Sequence, residues 1–229
     1  TLSSSSAASD VYKRQPLTPT LQAPPTLPVV ETFHSLQGEG MHSGRSAFFL
    51  RLAGCDVGCP WCDTKHSWPE DPHPRLSVED LALEARRARD LGAAFVVITG
   101  GEPLQHDLGP LCGALGEVAP LHLETSGVHP LSGRFNWITL SPKPHRPPRP
   151  ELLACCDELK VVVGDEGDLA FAETMADACR ARGRQAGAPH LLLQPAWDNP
   201  PGLALAIAHV QSHPAWRLSL QSHKWLGVR

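Results

Sequence analysis

Three thiols within eight residues, in Cys55-Asp56-Val57-Gly58-Cys59-Pro60-Trp61-Cys62, are the part of this chain best suited to chemistry. Gly54, Gly58 and Pro60 make a tight loop there, and such a loop can turn three thiolates onto one centre. Thiolates suit iron–sulfur clusters and zinc. A structural zinc site takes four ligands, so zinc would need Asp63, His66 or a distant residue as the fourth. A cubane cluster on three cysteines instead leaves one iron open to a chelating amine and carboxylate. Cys112, Cys155, Cys156 and Cys179 show no converging pattern and read as packing residues.

A second signal follows about forty residues on. The apolar run Ala94-Phe95-Val96-Val97-Ile98-Thr99, a strand buried on both faces, enters Gly100-Gly101-Glu102-Pro103. Backbone carbonyls and a carboxylate at a strand end can accept hydrogen bonds from a cation. Alone this segment could equally be a turn.

Both signals need elements to carry them. The patterning predicts strands over 29–33, 47–52, 94–99, 121–124, 137–140, 158–163, 191–194 and 217–221. It predicts helices over 78–91, 108–118, 169–182 and 201–213. Ser77 reads as an N-cap, with Asp80 in place of the Glu or Gln of a standard capping box, and Gly92 ends that helix. Strands alternating with helices imply an α/β fold of parallel βα units, and the few repeats favour an incomplete, TIM-like barrel. In such folds ligands sit at the carboxyl ends of strands. The candidate motifs fall there: the cysteine loop, Thr99 to Glu102, Glu124-Thr125, Ser141-Pro142-Lys143 and Gln194-Pro195.

The chain of 229 residues suits one domain, read as 29–229 after a disordered or non-native leader over 1–28 rich in serine and proline. The formal net charge of −4 gives no global pull toward nucleic acid or an anionic membrane. No apolar run is long enough for a transmembrane helix, and no secretory signal is seen. A reducing, cytoplasmic compartment is therefore expected, and the odd count of seven cysteines argues against complete disulfide pairing.

The Cys-x3-Cys-x2-Cys spacing with an aromatic before the last cysteine, paired with Gly100-Gly101-Glu102-Pro103, resembles the radical S-adenosylmethionine superfamily. The finer pattern resembles its 7-carboxy-7-deazaguanine synthases, from the queuosine pathway. That resemblance runs from Val30 to Arg229. It is carried by Glu31-Thr32-Phe33-His34-Ser35-Leu36-Gln37-Gly38-Glu39-Gly40, Phe49 to Cys55, Trp61-Cys62-Asp63-Thr64 and Glu124-Thr125-Ser126-Gly127. Ser141-Pro142-Lys143, Asp157-Glu158-Leu159-Lys160, Gln194-Pro195 and Gln221-Ser222-His223-Lys224 add to it. The Gln-Gly-Glu-Gly and His-Lys segments are not general features of the superfamily.

The resemblance implies a lyase that converts 6-carboxy-5,6,7,8-tetrahydropterin to 7-carboxy-7-deazaguanine with loss of ammonia. Reductive cleavage of S-adenosylmethionine would start the reaction. It implies a 4Fe-4S cluster on Cys55, Cys59 and Cys62. It places S-adenosylmethionine on Trp61, Cys62, Asp63, Gly101, Glu102, Ser141, Pro142, Lys143, Gln194, Pro195, Ala196 and Trp197. Substrate would meet Leu36, Gln37, Gly38, Glu39, Arg51, Thr99, His223 and Arg229, with Arg51 holding the carboxylate. Thr64 would ligate Mg2+. A flavodoxin or ferredoxin reductant and a homodimer are also implied. The competing readings are an activating enzyme that makes a glycyl radical on a partner protein, and a zinc-binding interaction module.

Overall fold

The computed structural model describes residues 24–182 and 187–229. The expected leader therefore falls largely outside the described residues, with one correction at its end. Strand β1 (Thr26–Leu36) begins inside it, and Thr26, Leu27 and Pro28 pair with Ser77, Leu76 and Arg75 of a short strand β3 (Arg75–Ser77). Burial of Leu27 and Val29 drives this. A proline lacks only the N–H donor, and Pro28 still accepts from the Ala53 N–H at 3.0 Å.

The remaining strands form the expected parallel series. They are β2 (Ser46–Leu52), β4 (Val96–Gly100), β5 (Leu121–Thr125), β6 (Trp137–Leu140), β7 (Glu158–Val163), β8 (His190–Pro195) and β9 (Trp216–Leu218). The sheet runs β3-β1-β2-β4-β5-β6-β7-β8-β9, parallel from β2 onward and antiparallel at β1 and β3. It does not close, so the fold is the partial TIM-like barrel expected. The helices are α1 (Val78–Asp90), α2 (Gly109–Leu115), α3 (Pro150–Cys155), α4 (Glu166–Ala181), α5 (Pro200–Ser212) and α6 (Ser222–Leu226).

Strand pleating sorts the side chains. Leu50 and Leu52, Val96 and Ile98, Leu121 and Leu123, Ile138 and Leu140, and Val161 and Val163 face the helices in one core. Their sequence neighbours Arg51, Thr99, Glu124, Thr139, Lys160 and Gln194 point inward and line a cavity at the carboxyl ends. A strand buried on both faces thus carries hydrocarbon outward and chemistry inward. At the opposite end, Phe95 stacks on His122 at 4.1 Å, with His42 and Trp137 beside them, and this floor closes the concave side. Burial, with His42 and Arg45 nearby, pushes His122 down to about 3, so it stays neutral there.

Three differences from the sequence reading have local causes. Helix α4 starts earlier than expected, because the Asp165 carboxylate accepts from the Asp168 N–H and Asp168 answers to the Asp165 N–H. Helix α2 ends earlier, at Leu115. The segment after Leu218 leaves the sheet and turns into the short α6. Among the described residues, no helix is long and apolar enough to cross a membrane.

Candidate active site

The cysteine loop leaves β2 and is fastened at several points. The Gly54 and Cys55 N–H groups donate to the carbonyls of Ser67 and Trp68 at 2.8 and 3.0 Å. The Cys62 N–H closes a turn onto the Cys59 carbonyl at 3.1 Å. Asp56 ties the loop to the far wall, accepting from Arg146 Nη2 at 2.6 Å and contacting His129 Nε2 at 2.9 Å. Burial works against its charge, but Arg146 and His129 hold the carboxyl below its ordinary range. All three cysteines line one cavity of about 720 Å³. Burial pushes the Cys55 and Cys59 thiols up, so a cation must displace their protons before they can ligate. His66, the alternative fourth zinc ligand, is exposed and lies outside that wall.

The Gly-Gly-Glu-Pro segment is the surface on which the loop docks. Gly101 donates to the Leu52 carbonyl at 2.9 Å and Glu102 to the Gly54 carbonyl at 2.8 Å. A Cβ on Gly101 would sit 2.2 Å from the Gly54 oxygen, so no other residue allows this approach. Glu102 also has a structural part. Its carboxylate is 1% exposed and accepts from the Leu104 N–H (3.1 Å), the Thr125 hydroxyl (2.5 Å), and both the N–H (2.8 Å) and hydroxyl of Ser126. Those four donors take all the acceptor positions of a carboxylate. Glu102 therefore pins β4 to the end of β5 while lining the cavity. Glu102→Gln puts an amide donor against these donors and is expected to cost about 1–3 kcal/mol. Thermal denaturation checks this, and an unchanged Tm would contradict it.

The Gln-Gly-Glu-Gly and Gln-Ser-His-Lys segments, far apart in sequence, meet at the mouth. The N–H and hydroxyl of Ser222 both donate to the Gly38 carbonyl, at 2.9 and 2.8 Å. The His223 ring lies where a side chain on Gly38 would be, 2.1 Å from that Cβ position. Gln37 Nε2 and the Thr99 hydroxyl donate to Glu124 at 3.0 and 2.9 Å. Glu39 forms a buried ion pair with Lys160 and accepts from Gln221 Nε2 at 2.8 Å. Burial alone would raise Glu39, but Lys160 and Gln221 bring it down to about 2. Burial would lower Lys160, yet Glu39, Glu124 and Glu158 together push it up. His223 is held down by burial, against the pull of Glu39.

The other expected residues gather around the same space, with one exception. Ser141 Oγ accepts from Lys143 Nζ at 2.8 Å, and burial lowers Lys143. Pro142 between them is buried and does not reach the wall. Asp63 takes Lys224 at 2.5 Å, and Lys224 also stands 4.7 Å over the Trp197 ring. The Thr64 hydroxyl lies 3.3 Å from Asp63 Oδ1 and 3.7 Å from Cys62 Sγ. Arg51 gives its Nε to Glu31 at 3.0 Å, and Arg229 pairs with the same carboxylate. Trp61, Leu36, Gln194, Pro195 and Ala196 complete the predicted lining. Among the wall residues without an assigned role are Glu124, Lys160, Gln221 and Lys224. Inward alternation along β5 and β7 was the available signal for the first two.

The arrangement offers three thiols at one end of a polar, part-enclosed space and paired carboxylates, amides and cations at the other. Its volume suits a small-molecule site. The donor set fits a 4Fe-4S cluster, since three soft ligands from one short loop line the same cavity.

Comparison with known proteins agrees with this geometry. The Radical SAM superfamily profile matches residues 50–142. The chain is 53% identical over 220 residues to a 7-carboxy-7-deazaguanine synthase of Prochlorococcus marinus, covering 88% of this chain and 98% of that one. It is 50% identical over 203 residues to the protein of that name from a Synechocystis species, covering 88% of this chain and 93% of the relative. It is 35% identical over 225 residues to the one from Escherichia coli, at 88% and 98% coverage. The crystal structure of QueE from Escherichia coli superposes with a TM-score of 0.76 at 33% identity, over 86% of this chain and 95% of that one.

Proposed function

Because this chain belongs to the 7-carboxy-7-deazaguanine synthase family of radical S-adenosylmethionine enzymes, we propose that its cavity converts 6-carboxy-5,6,7,8-tetrahydropterin to 7-carboxy-7-deazaguanine with release of ammonia. One observation carries the choice of substrate: the Gln-Gly-Glu-Gly loop, braced by the His223 segment, faces the three-cysteine loop across a single cavity.

Cys55, Cys59 and Cys62 hold the cluster, and S-adenosylmethionine occupies the neighbouring wall. Together the two groups supply the one-electron chemistry that opens the reaction. The protein binds, orients and excludes water. Asp63, Trp61 and Trp197 flank the adenosine part, with Lys224 fixing Asp63. Ser141, Lys143 and the stretch from Gln194 to Ala196 flank the rest. Gly101 contributes main-chain groups, and Glu102 borders the same stretch of wall. Gln37, Glu39 and Thr99 present an amide, a carboxylate and a hydroxyl to the donor–acceptor edge of the pterin. Lys160 and Glu124 keep those three groups aimed. His223 and Arg229 border the same end.

Arg51 takes the substrate carboxylate through its terminal fork, its Nε being engaged by Glu31. Arg51→Ala is expected to raise KM about tenfold to a hundredfold, the value of a lost charge-assisted hydrogen bond, with a smaller change in kcat. An unchanged KM would overturn that role.

Thr64 offers one hard oxygen to Mg2+, which typically keeps waters and substrate oxygens as its other ligands. Thr64→Val should abolish Mg2+ stimulation of turnover and leave cluster content unchanged; persistent stimulation would count against it. A flavodoxin or ferredoxin supplies electrons, and two copies pair in solution, which light scattering tests. The decisive assay supplies the carboxypterin, S-adenosylmethionine and dithionite anaerobically to the cluster-loaded protein. Deazaguanine should accumulate, and cofactor cleavage without a pterin-derived product would refute the assignment.

A further inference from the structure

On the outer surface, away from the cavity, three side chains from two helices and the end of one converge: Glu173 on α4, His209 on α5, and His213 at the α5 C-cap. One ligand atom from each lies within 4.8 Å of the others. None of the three lines the cavity.

The group is ordered by partners that do not themselves ligate. The Trp216 indole N–H donates to Glu173 Oε1 at 2.8 Å, and His209 Nε2 meets the same oxygen at 2.9 Å. His213 Nδ1 lies 3.0 Å from the His209 carbonyl. A carbonyl only accepts, so Nδ1 carries the proton and Nε2 keeps its lone pair. The His209 and His213 rings stack 3.9 Å apart at 7°, so their in-plane lone pairs run parallel and one ring must turn for both to share an ion. Arg180 stands 3.9 Å from Glu173 Oε2 but is drawn away to Asp177 at 2.6 Å.

Two imidazoles and one carboxylate are a borderline-soft donor set, with Glu173 held by the Trp216 indole and His213 by a main-chain carbonyl. We propose that Glu173, His209 and His213 bind one Zn2+ ion that ties α4 to the end of α5. The ion takes the place of the hydrogen bond between Glu173 and His209, whose neutral ring ligates through Nε2 and carries its single proton on Nδ1. A fourth position is left for water. The role is structural and independent of the cluster chemistry.

Equilibrium dialysis of the cluster-loaded enzyme against Zn2+, with metal analysis, tests the site. The intact cluster keeps the three cysteines from competing. Wild type should bind one more zinc per chain than His213→Gln, whose exposed position makes folding secure. Zinc-edge X-ray absorption should show nitrogen and oxygen neighbours and no sulfur. Trp216→Phe should weaken the site about tenfold, the usual effect of losing a partner that orients a ligand. Zinc should raise the Tm of wild type and leave that of His213→Gln unmoved. Equal zinc content in wild type and His213→Gln, or sulfur in the shell, would overturn the proposal.

Discussion

Cys59→Ala is expected to yield a folded protein that assembles no 4Fe-4S cluster and makes no product. Cys59 is the buried middle member of the loop, and the turn between its carbonyl and the Cys62 N–H does not need its sulfur. Its removal leaves two thiolates, too few to hold a cubane with one open iron. Folding should survive, since Asp56 and the Ser67 and Trp68 carbonyls still fasten the loop. After anaerobic reconstitution, iron and acid-labile sulfide should fall to background, with turnover lost by at least about a thousandfold, or roughly 4 kcal/mol in barrier terms. Full cluster content with retained turnover would overturn the ligand assignment.

Lys160→Met should be the most destabilising change at the cavity. It removes one partner of a buried pair and leaves Glu39, Glu124 and Glu158 without their shared cation. Breaking such a pair costs about 3–5 kcal/mol, which corresponds to about 10 °C in Tm for a chain of this size. The pH behaviour follows from the shifts. Glu39 is depressed from 4.5 to about 2, so its contribution is present above 4.5 and disappears as pH falls toward about 2. Lys160 is raised above its ordinary 10.5, so its contribution is present below 10.5 and is lost only as pH climbs through the raised value. The wild-type pair is therefore insensitive between those limits. In Lys160→Met, only the Gln221 hydrogen bond and His223 still oppose burial at Glu39, and its carboxyl titrates at higher pH. The acid limb of kcat/KM should move upward with it. An unmoved acid limb, together with an unchanged Tm, would show that the pair orders nothing.

Much of this site was legible in one dimension because its parts are short and contiguous. Cys55, Cys59 and Cys62 are close enough that loop geometry alone brings them together. Gly100 and Gly101 follow a strand whose apolar run is unmistakable. Glu102 has a structural part that the motif does not show. The motif places a carboxylate beside the cluster loop, but only the packing of β4 against β5 brings Thr125 and Ser126 onto it. Lys160 and Glu124 lay within recognised segments without a role, since their partners Glu39, Gln37 and Thr99 come from other strands and loops. Pro142 shows the converse, a motif residue that the turn buries.

By itself the sequence determined the βα alternation, the three-thiol ligand set and the strand ends at which chemistry occurs, because hydrophobic period, thiol spacing and turn residues act over a few bonds. The tertiary structure decided which carboxylates are free and which are spent, how the Gln-Gly-Glu-Gly and Gln-Ser-His-Lys segments brace one another, and that Glu173, His209 and His213 meet on the outer face. Those outcomes depend on contacts between residues tens to hundreds of positions apart, which only the pairing of the strands and the docking of the helices bring within hydrogen-bond reach.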